Sequence, residues 1–189
     1  MYKLTNKEKA DVIRIVLQSS DIITSIIEAP EDINFIEQKG FADYVTKIDY
    51  DVQNYIEKRI LDIFPDHQFL GEEDSQYNFD QTEPCWILDP VDGTKNLILD
   101  IQHSCTSLAF WNGEELNFAL IYDPFLDELF EASRNEGAYL IRNVKQQIIT
   151  AKEFQNLQKT KLTINNITDL KHAIVAFGSS PYDRGTEIN

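Results

Sequence analysis

Val12, Ile13, Val16, Leu17, Ile23, Ile26 and Ile27 recur at helical spacing. Thr5-Asn6-Lys7-Glu8 in front of them is a capping box, so a long amphipathic helix ending near Ala29-Pro30 is predicted. Thr46-Lys47-Ile48-Asp49 offers a second capping box, with Asp in the third place. The stripe Val52, Tyr55, Ile56, Ile60 and Phe64 continues it as a second helix, which Pro65 stops. Between the two, Lys39 to Thr46 reads as a turn or a short hairpin. From Phe69 onward the period shortens to that of strands. Phe69-Leu70 is a short buried strand running into the acidic loop Gly71-Glu72-Glu73-Asp74, and Tyr77 to Pro84 is a polar surface loop. Thr106 to Trp111 and Leu116 to Tyr122 flank Asn112-Gly113, a strong hairpin signal. Glu128 to Ala132 and Ala138 to Arg142 form another pair, turned at Asn135-Glu136-Gly137. Lys161 to Ile164 and Ala173 to Phe177 read as strands with a short helix between them, before a polar stretch at 178–185. The pattern as a whole predicts an α+β fold, with two helices on one face of a largely antiparallel meander.

Composition narrows the function classes. The chain has 189 residues, 42% hydrophobic and 26% charged, as suits one globular domain or a domain plus part of another. Its net charge of -15 argues against nucleic acid or an anionic membrane as the main partner. A small phosphorylated substrate stays compatible, because a metal ion can supply positive charge. No apolar run approaches a membrane span, and the polar start of the chain reads as lacking a signal peptide. Cys85 and Cys105 lie in apolar, strand-like surroundings and read as reduced core residues, which implies a cytoplasmic protein.

The densest chemistry lies in Cys85-Trp86-Ile87-Leu88-Asp89-Pro90-Val91-Asp92-Gly93-Thr94-Lys95-Asn96. The apolar run Trp86 to Leu88 is a buried strand. Pro90 has no N–H to donate, so regular pairing is expected to stop beside Asp89. Gly93 permits a tight turn and Thr94 suits the N-cap of a short helix whose free N–H groups favour an anion. Two carboxylates and an anion-binding turn fit a hard cation holding a phosphate; a plain β-turn with solvated charges is the bland reading. Other acidic residues cluster at predicted element ends: Asp43 and Asp49, then Glu72 and Glu73. Converging carboxylates repel unless cations neutralise them. No histidine or cysteine cluster points to zinc, and His67, His103 and His172 are scattered.

The motifs Asp43-x-Val45-Thr46-x-x-Asp49, Gly71-Glu72-Glu73 and Trp86 to Asn96 resemble those of the inositol monophosphatase family, Mg²⁺-dependent and lithium-sensitive phosphatases. Leu120 to Phe130 and Gly137-Ala138-Tyr139 are similar to that family's sheet as well. The resemblance implies a layered αβαβα fold, usually a homodimer. It divides the chain into a metal- and phosphate-binding α+β domain at 1–155 and, at 156–189, the start of a C-terminal α/β domain. It places metal ligands at Glu72, Asp89, the Val91 carbonyl and Asp92. Thr94, oriented by Asp49, would position the attacking water, with Glu72 also among the catalytic residues. Asp92, Gly93 and Thr94 would bind substrate, the last two through backbone N–H groups. Lys39, Asp43, Glu73 and Lys95 are further candidates.

Lys95 and Leu97 to His103 depart from the family pattern, which leaves the substrate open. The family's later Trp-Asp motif, with a further ligand Asp, does not occur, so the chain reads as lacking the C-terminal part. The expected function is Mg²⁺-dependent hydrolysis of a small phosphomonoester, inositol monophosphate by default, with activity of so short a chain in question. Sugar bisphosphates and phosphoadenosine phosphates are alternative substrates, and a non-catalytic metal or phosphate binder is an alternative role. A haloacid-dehalogenase reading of the aspartates fits less well. Two residues separate them, and in a regular strand Asp89 and Asp92 then fall on opposite faces.

Overall fold

The computed structural model describes residues 2–28, 36–40, 43–74, 78–151 and 154–175. Helix α1 (Asn6–Glu28) starts from the expected capping box, with Thr5 N donating to Glu8 Oε2 at 2.7 Å and Glu8 N to Thr5 Oγ1 at 3.2 Å. The expected helix end at Ala29-Pro30 lies outside the described residues. Strands β1 (Ile36–Gly40) and β2 (Asp43–Thr46) form a separate antiparallel pair, the hairpin anticipated there. Thr46 then caps helix α2 (Lys47–Ile63), whose capping box with Asp49 is complete. The helix ends as Phe64 N bonds back to Ile60 O at 2.8 Å, with Pro65 next.

Seven strands follow: β3 (Gln68–Gly71), β4 (Pro84–Asp92), β5 (Cys105–Asn112), β6 (Leu116–Asp123), β7 (Glu128–Ser133), β8 (Gly137–Arg142) and β9 (Thr160–Leu162). They lie side by side in sequence order in a single sheet. Every pair is antiparallel except β3 with β4, which run parallel. Helix α3 (Thr94–Ile98) separates β4 from β5, and helix α4 (Val144–Ala151) follows β8. The sheet crosses position 155, because β9 pairs with β8 as its last strand. Ala173 to Val175 form no strand, contrary to expectation. Ile174 is fully exposed, no strand pairs with this segment among the described residues, and Phe177 lies outside them.

Both long helices pack on one face of the sheet. Val12, Ile13, Val16 and Ile23 of α1 and Val52, Ile56 and Ile60 of α2 bury against Trp86, Leu88, Leu108, Phe110, Phe118 and Leu120. Each such aliphatic side chain contributes roughly 1.5–3 kcal/mol of burial. β5 alternates strictly, with Thr106, Leu108, Phe110 and Asn112 buried toward the helices and Cys105, Ser107, Ala109 and Trp111 on the opposite face. Cys85 and Cys105 are both free thiols. Among the described residues no helix is long and apolar enough to cross a membrane.

Candidate active site

The pairing of β4 with β5 does not stop at Pro90. Asp89 pairs with Ser107 and Asp92 with Cys105, so three steps along β4 span two along β5. That is a β-bulge at Pro90-Val91, where a missing N–H is tolerated. Thr106 Oγ1 donates to the Pro90 carbonyl at 2.9 Å and satisfies it. Ser107 and Cys105 lie on the same face of β5, and so therefore do their partners. The expectation that Asp89 and Asp92 point to opposite faces is corrected: the extra residue turns Asp92 back to the side of Asp89.

The parallel pair brings in the next carboxylate. Parallel strands end at the same edge of a sheet, so the chain leaving β3 emerges beside the end of β4. Glu72 N donates to Leu88 O at 2.9 Å there, one residue before Asp89. Glu72 and Asp92 are exposed, while Asp89 is half-buried and its Oδ1 is buried with no hydrogen-bond partner. Burial first, then a hydrogen bond shared with Glu72 and the charges of Glu72, Asp92 and Asp49, hold the Asp89 carboxyl well above the ordinary carboxylate range. Among the described residues no three histidine, cysteine or acidic side chains already stand in a metal cage. The donor set is all oxygen, however, and a buried carboxylate oxygen without a partner among like charges is the environment a hard cation relieves. The site fits a divalent ion of that class.

Gly93 turns the chain at φ 93°, in the left-handed region, and a Cβ there would stand 3.0 Å from His103 O. Gly93 itself is the N-cap of α3, with no side-chain cap, and Thr94 is the first helical residue. The expected N-cap role of Thr94 is therefore corrected. Its hydroxyl is engaged elsewhere: Oγ1 lies 2.9 Å from Asp49 Oδ1 and 3.0 Å from the Val91 carbonyl. With one proton it donates to one of these at a time. Ser104 Oγ donates to Gly93 O at 2.9 Å and Asn96 Nδ2 to His103 O at 2.7 Å, pinning the turn from its far side.

The structure thus brings together Asp49, Glu72, Asp89, Val91, Asp92, Gly93 and Thr94. Lys95 is exposed on the first turn of α3. Lys39 and Asp43 lie on β1 and β2, but their side chains fall outside the described residues. Glu73 donates its backbone N–H to Gln53 Oε1 of α2 at 3.0 Å. Cys105 Sγ lies 3.9 Å from Asp92 Oδ2, and burial, followed by the charges of Asp92 and Asp89, pushes its pKa up to about 12. His67 belongs to an aromatic cluster at the start of β4, where Trp86 Nε1 donates to its Nδ1 at 3.2 Å. Sequence reasoning missed Gln53, Ser104 and Thr106. A buried polar residue on an otherwise apolar helix face was the available signal for Gln53, and none existed for the two hydroxyls.

A model of the inositol monophosphatase family matches residues 6–180. The chain belongs to that family. It is 40% identical to inositol monophosphatase 1 of Solanum lycopersicum over 108 residues, 56% of this chain and 40% of the relative. To Nus factor SuhB of Haemophilus influenzae it is 32% identical over 143 residues, 76% of this chain and 53% of the relative. The extragenic suppressor protein SuhB of Bartonella henselae superposes with a TM-score of 0.65 at 26% identity, covering 70% of this chain and 51% of that one. An IMPase/NADP phosphatase solved with NADP and Ca²⁺ superposes at 0.62 and 27% identity, covering 74% and 53%. The chain thus spans about half the length of these members of the inositol monophosphatase family.

Proposed function

We propose that this protein hydrolyses a small phosphomonoester in a Mg²⁺-dependent reaction, with inositol monophosphate the default substrate. The observation that carries this reading is the unpartnered Asp89 Oδ1, buried beside Glu72 and Asp92 and next to the Asp49–Thr94 pair. Glu72, Asp89, the Val91 carbonyl and Asp92 would hold the ion. When bound, a divalent cation there supplies Lewis acidity toward phosphoryl oxygens and lowers the pKa of water. The relative solved with Ca²⁺ and NADP supports both a divalent ion and a phosphorylated ligand.

The protein's own groups do the rest. Thr94 Oγ1 donates its hydrogen bond to Asp49 Oδ1 and keeps its proton, which leaves the lone pairs of that oxygen to accept a hydrogen bond from the attacking water. The amides of Gly93 and Thr94 are assigned to the phosphoryl oxygens, since the first N–H groups of α3 have no intrahelical acceptor. Asp92 serves the substrate as well as the ion, and Lys95 adds a cation on the same turn. Because β9 pairs with β8, we assign the chain through β9, beyond 155, to this metal- and phosphate-binding unit and the residues after it to the start of a further α/β unit. Two free thiols suit a cytoplasmic setting, and a homodimer is the assembly we assign.

Phosphate release from a panel of phosphomonoesters, measured with and without Mg²⁺, tests the reading. Asp92→Asn keeps the shape but removes a charge, and Mg²⁺ affinity should fall at least tenfold, about 1.4 kcal/mol. Unchanged affinity would remove Asp92 from the ion site. Mg²⁺ binding without phosphate release from any ester would leave a binding protein in place of an enzyme.

A further inference from the structure

A buried amide outside the residues assigned to the reaction ties α2 to the acidic loop. Gln53 lies one helical turn after Asp49 and is only 5% exposed. Its Nε2 donates to Asp74 Oδ1 at 2.9 Å, and its Oε1 accepts from Glu73 N at 3.0 Å. Asp74 in turn closes the loop on itself, its Oδ2 accepting from Gly71 N at 2.7 Å and its N–H donating to Gly71 O at 3.2 Å. A Cβ on Gly71 would stand 2.2 Å from Gln53 Cδ, so the amide fills the space that the glycine leaves. From the other side, Glu72 N is bonded to Leu88 O of β4.

The loop is therefore gripped between β4 and α2. Asp49 and Gln53, four residues apart, share one face of α2. That single face registers both halves of the site, the Thr94 turn through Asp49 and the Glu72 loop through Gln53. We propose that Gln53 is a positioning residue that holds Glu72 in register with Asp89. This rests on the reading of Glu72 and Asp89 as ligands of one cation. The chemistry at Gln53 requires an amide, because the group must donate to a carboxylate and accept from a backbone N–H at once. A carboxylate there would offer Asp74 no donor and would add a charge where Glu57 already feels that of Asp74. An aliphatic residue would make neither of these two hydrogen bonds.

The test compares the wild type with Gln53→Glu, Gln53→Leu, the swap Gln53→Glu with Asp74→Asn, and Asp89→Asn as a reference. The swap restores one donor facing one acceptor with the roles exchanged. Isothermal titration with Mg²⁺ and hydrogen exchange at the amides of residues 71–74 are the readouts, with thermal unfolding as a check on folding. Both single variants at Gln53 should exchange these amides at least tenfold faster and bind Mg²⁺ at least tenfold more weakly. The swap should recover most of the affinity. Wild-type affinity in Gln53→Glu, or a swap no better than it, would overturn the proposal even if Gln53→Leu fails to fold. A wild type that binds Mg²⁺ no better than Asp89→Asn would instead overturn the cation site itself, and this proposal with it.

Discussion

Asp49 Oδ1 accepts from Thr94 Oγ1 at 2.9 Å while Oδ2 of the same carboxylate accepts from Thr46 N at 2.8 Å and Thr46 Oγ1 at 2.6 Å. One carboxylate, 1% exposed, thus closes the capping box of α2 and orients the hydroxyl at the head of α3. The cap fixes where Asp49 stands, since a side chain bonded to its own helix start has little rotamer freedom left. Precision at Thr94 is inherited from that local geometry.

Thr94→Val removes the hydroxyl in nearly the same volume. Turnover of a phosphomonoester should fall by roughly 10²-fold or more, the usual scale for lost positioning of a reacting group. Thr94→Ser should retain most of the activity. The Asp49 cap survives in both, so Thr94→Val should destabilise by no more than about 1–3 kcal/mol for one buried acceptor left unpaired. Steady-state kinetics beside calorimetric unfolding separates the two effects, and equal turnover in Val and Ser variants would contradict the role.

Gly71→Ala drives a methyl group into Gln53 Cδ. Overpacking of this kind destabilises by about 1–3 kcal/mol. Because the clash is with one side chain, the same change in a Gln53→Ala background should have a markedly smaller effect. Urea unfolding of the four proteins in the cycle measures that coupling. Additive effects would mean that the loop backbone, and not Gln53, limits the space.

His67 sets a pH window for stability. Burial lowers its pKa from 6.5, and the charges of Glu8 and Asp66 offset this in part. The ring stacks on Phe64 at 4.8 Å, and its Nδ1 accepts from Trp86, so the neutral form belongs to the folded state. The unfolded chain then binds the proton more readily, and stability rises with pH between the folded value and 6.5. The contribution is complete above about pH 6.5 and is lost as pH falls through the folded value. Urea unfolding between pH 5.5 and 7.5 should show this slope in the wild type and a flatter profile in His67→Phe. Identical slopes would assign the effect to other groups.

Much of this molecule was legible in one dimension because its signals are local. The capping boxes at Thr5 and Thr46 depend on residues three apart. The Asn112-Gly113 hairpin depends on a turn that sets φ and register together. Helical stripes facing alternating strands were enough for two helices on one face of a meander, and the ordered motifs were enough for the family. Asp89, Asp92, Gly93 and Thr94 could be singled out together as candidates, since they are neighbours in the chain.

What the sequence left open was direction and facing, which long-range pairing settles. Nothing local distinguishes a parallel from an antiparallel neighbour for a strand as short as Gln68–Gly71, yet the parallel choice alone sets Glu72 beside Asp89. Counting residues placed Asp89 and Asp92 on opposite faces, and the bulge against β5 reversed that by adding one residue on one side only. Thr94 looked like a helix cap until Asp49, 45 positions away in sequence, claimed its hydroxyl. Ala173 to Val175 had strand composition but no partner edge among the described residues. Composition determines which residues suit a strand or a turn, whereas hydrogen bonds to distant backbone decide which way their side chains face.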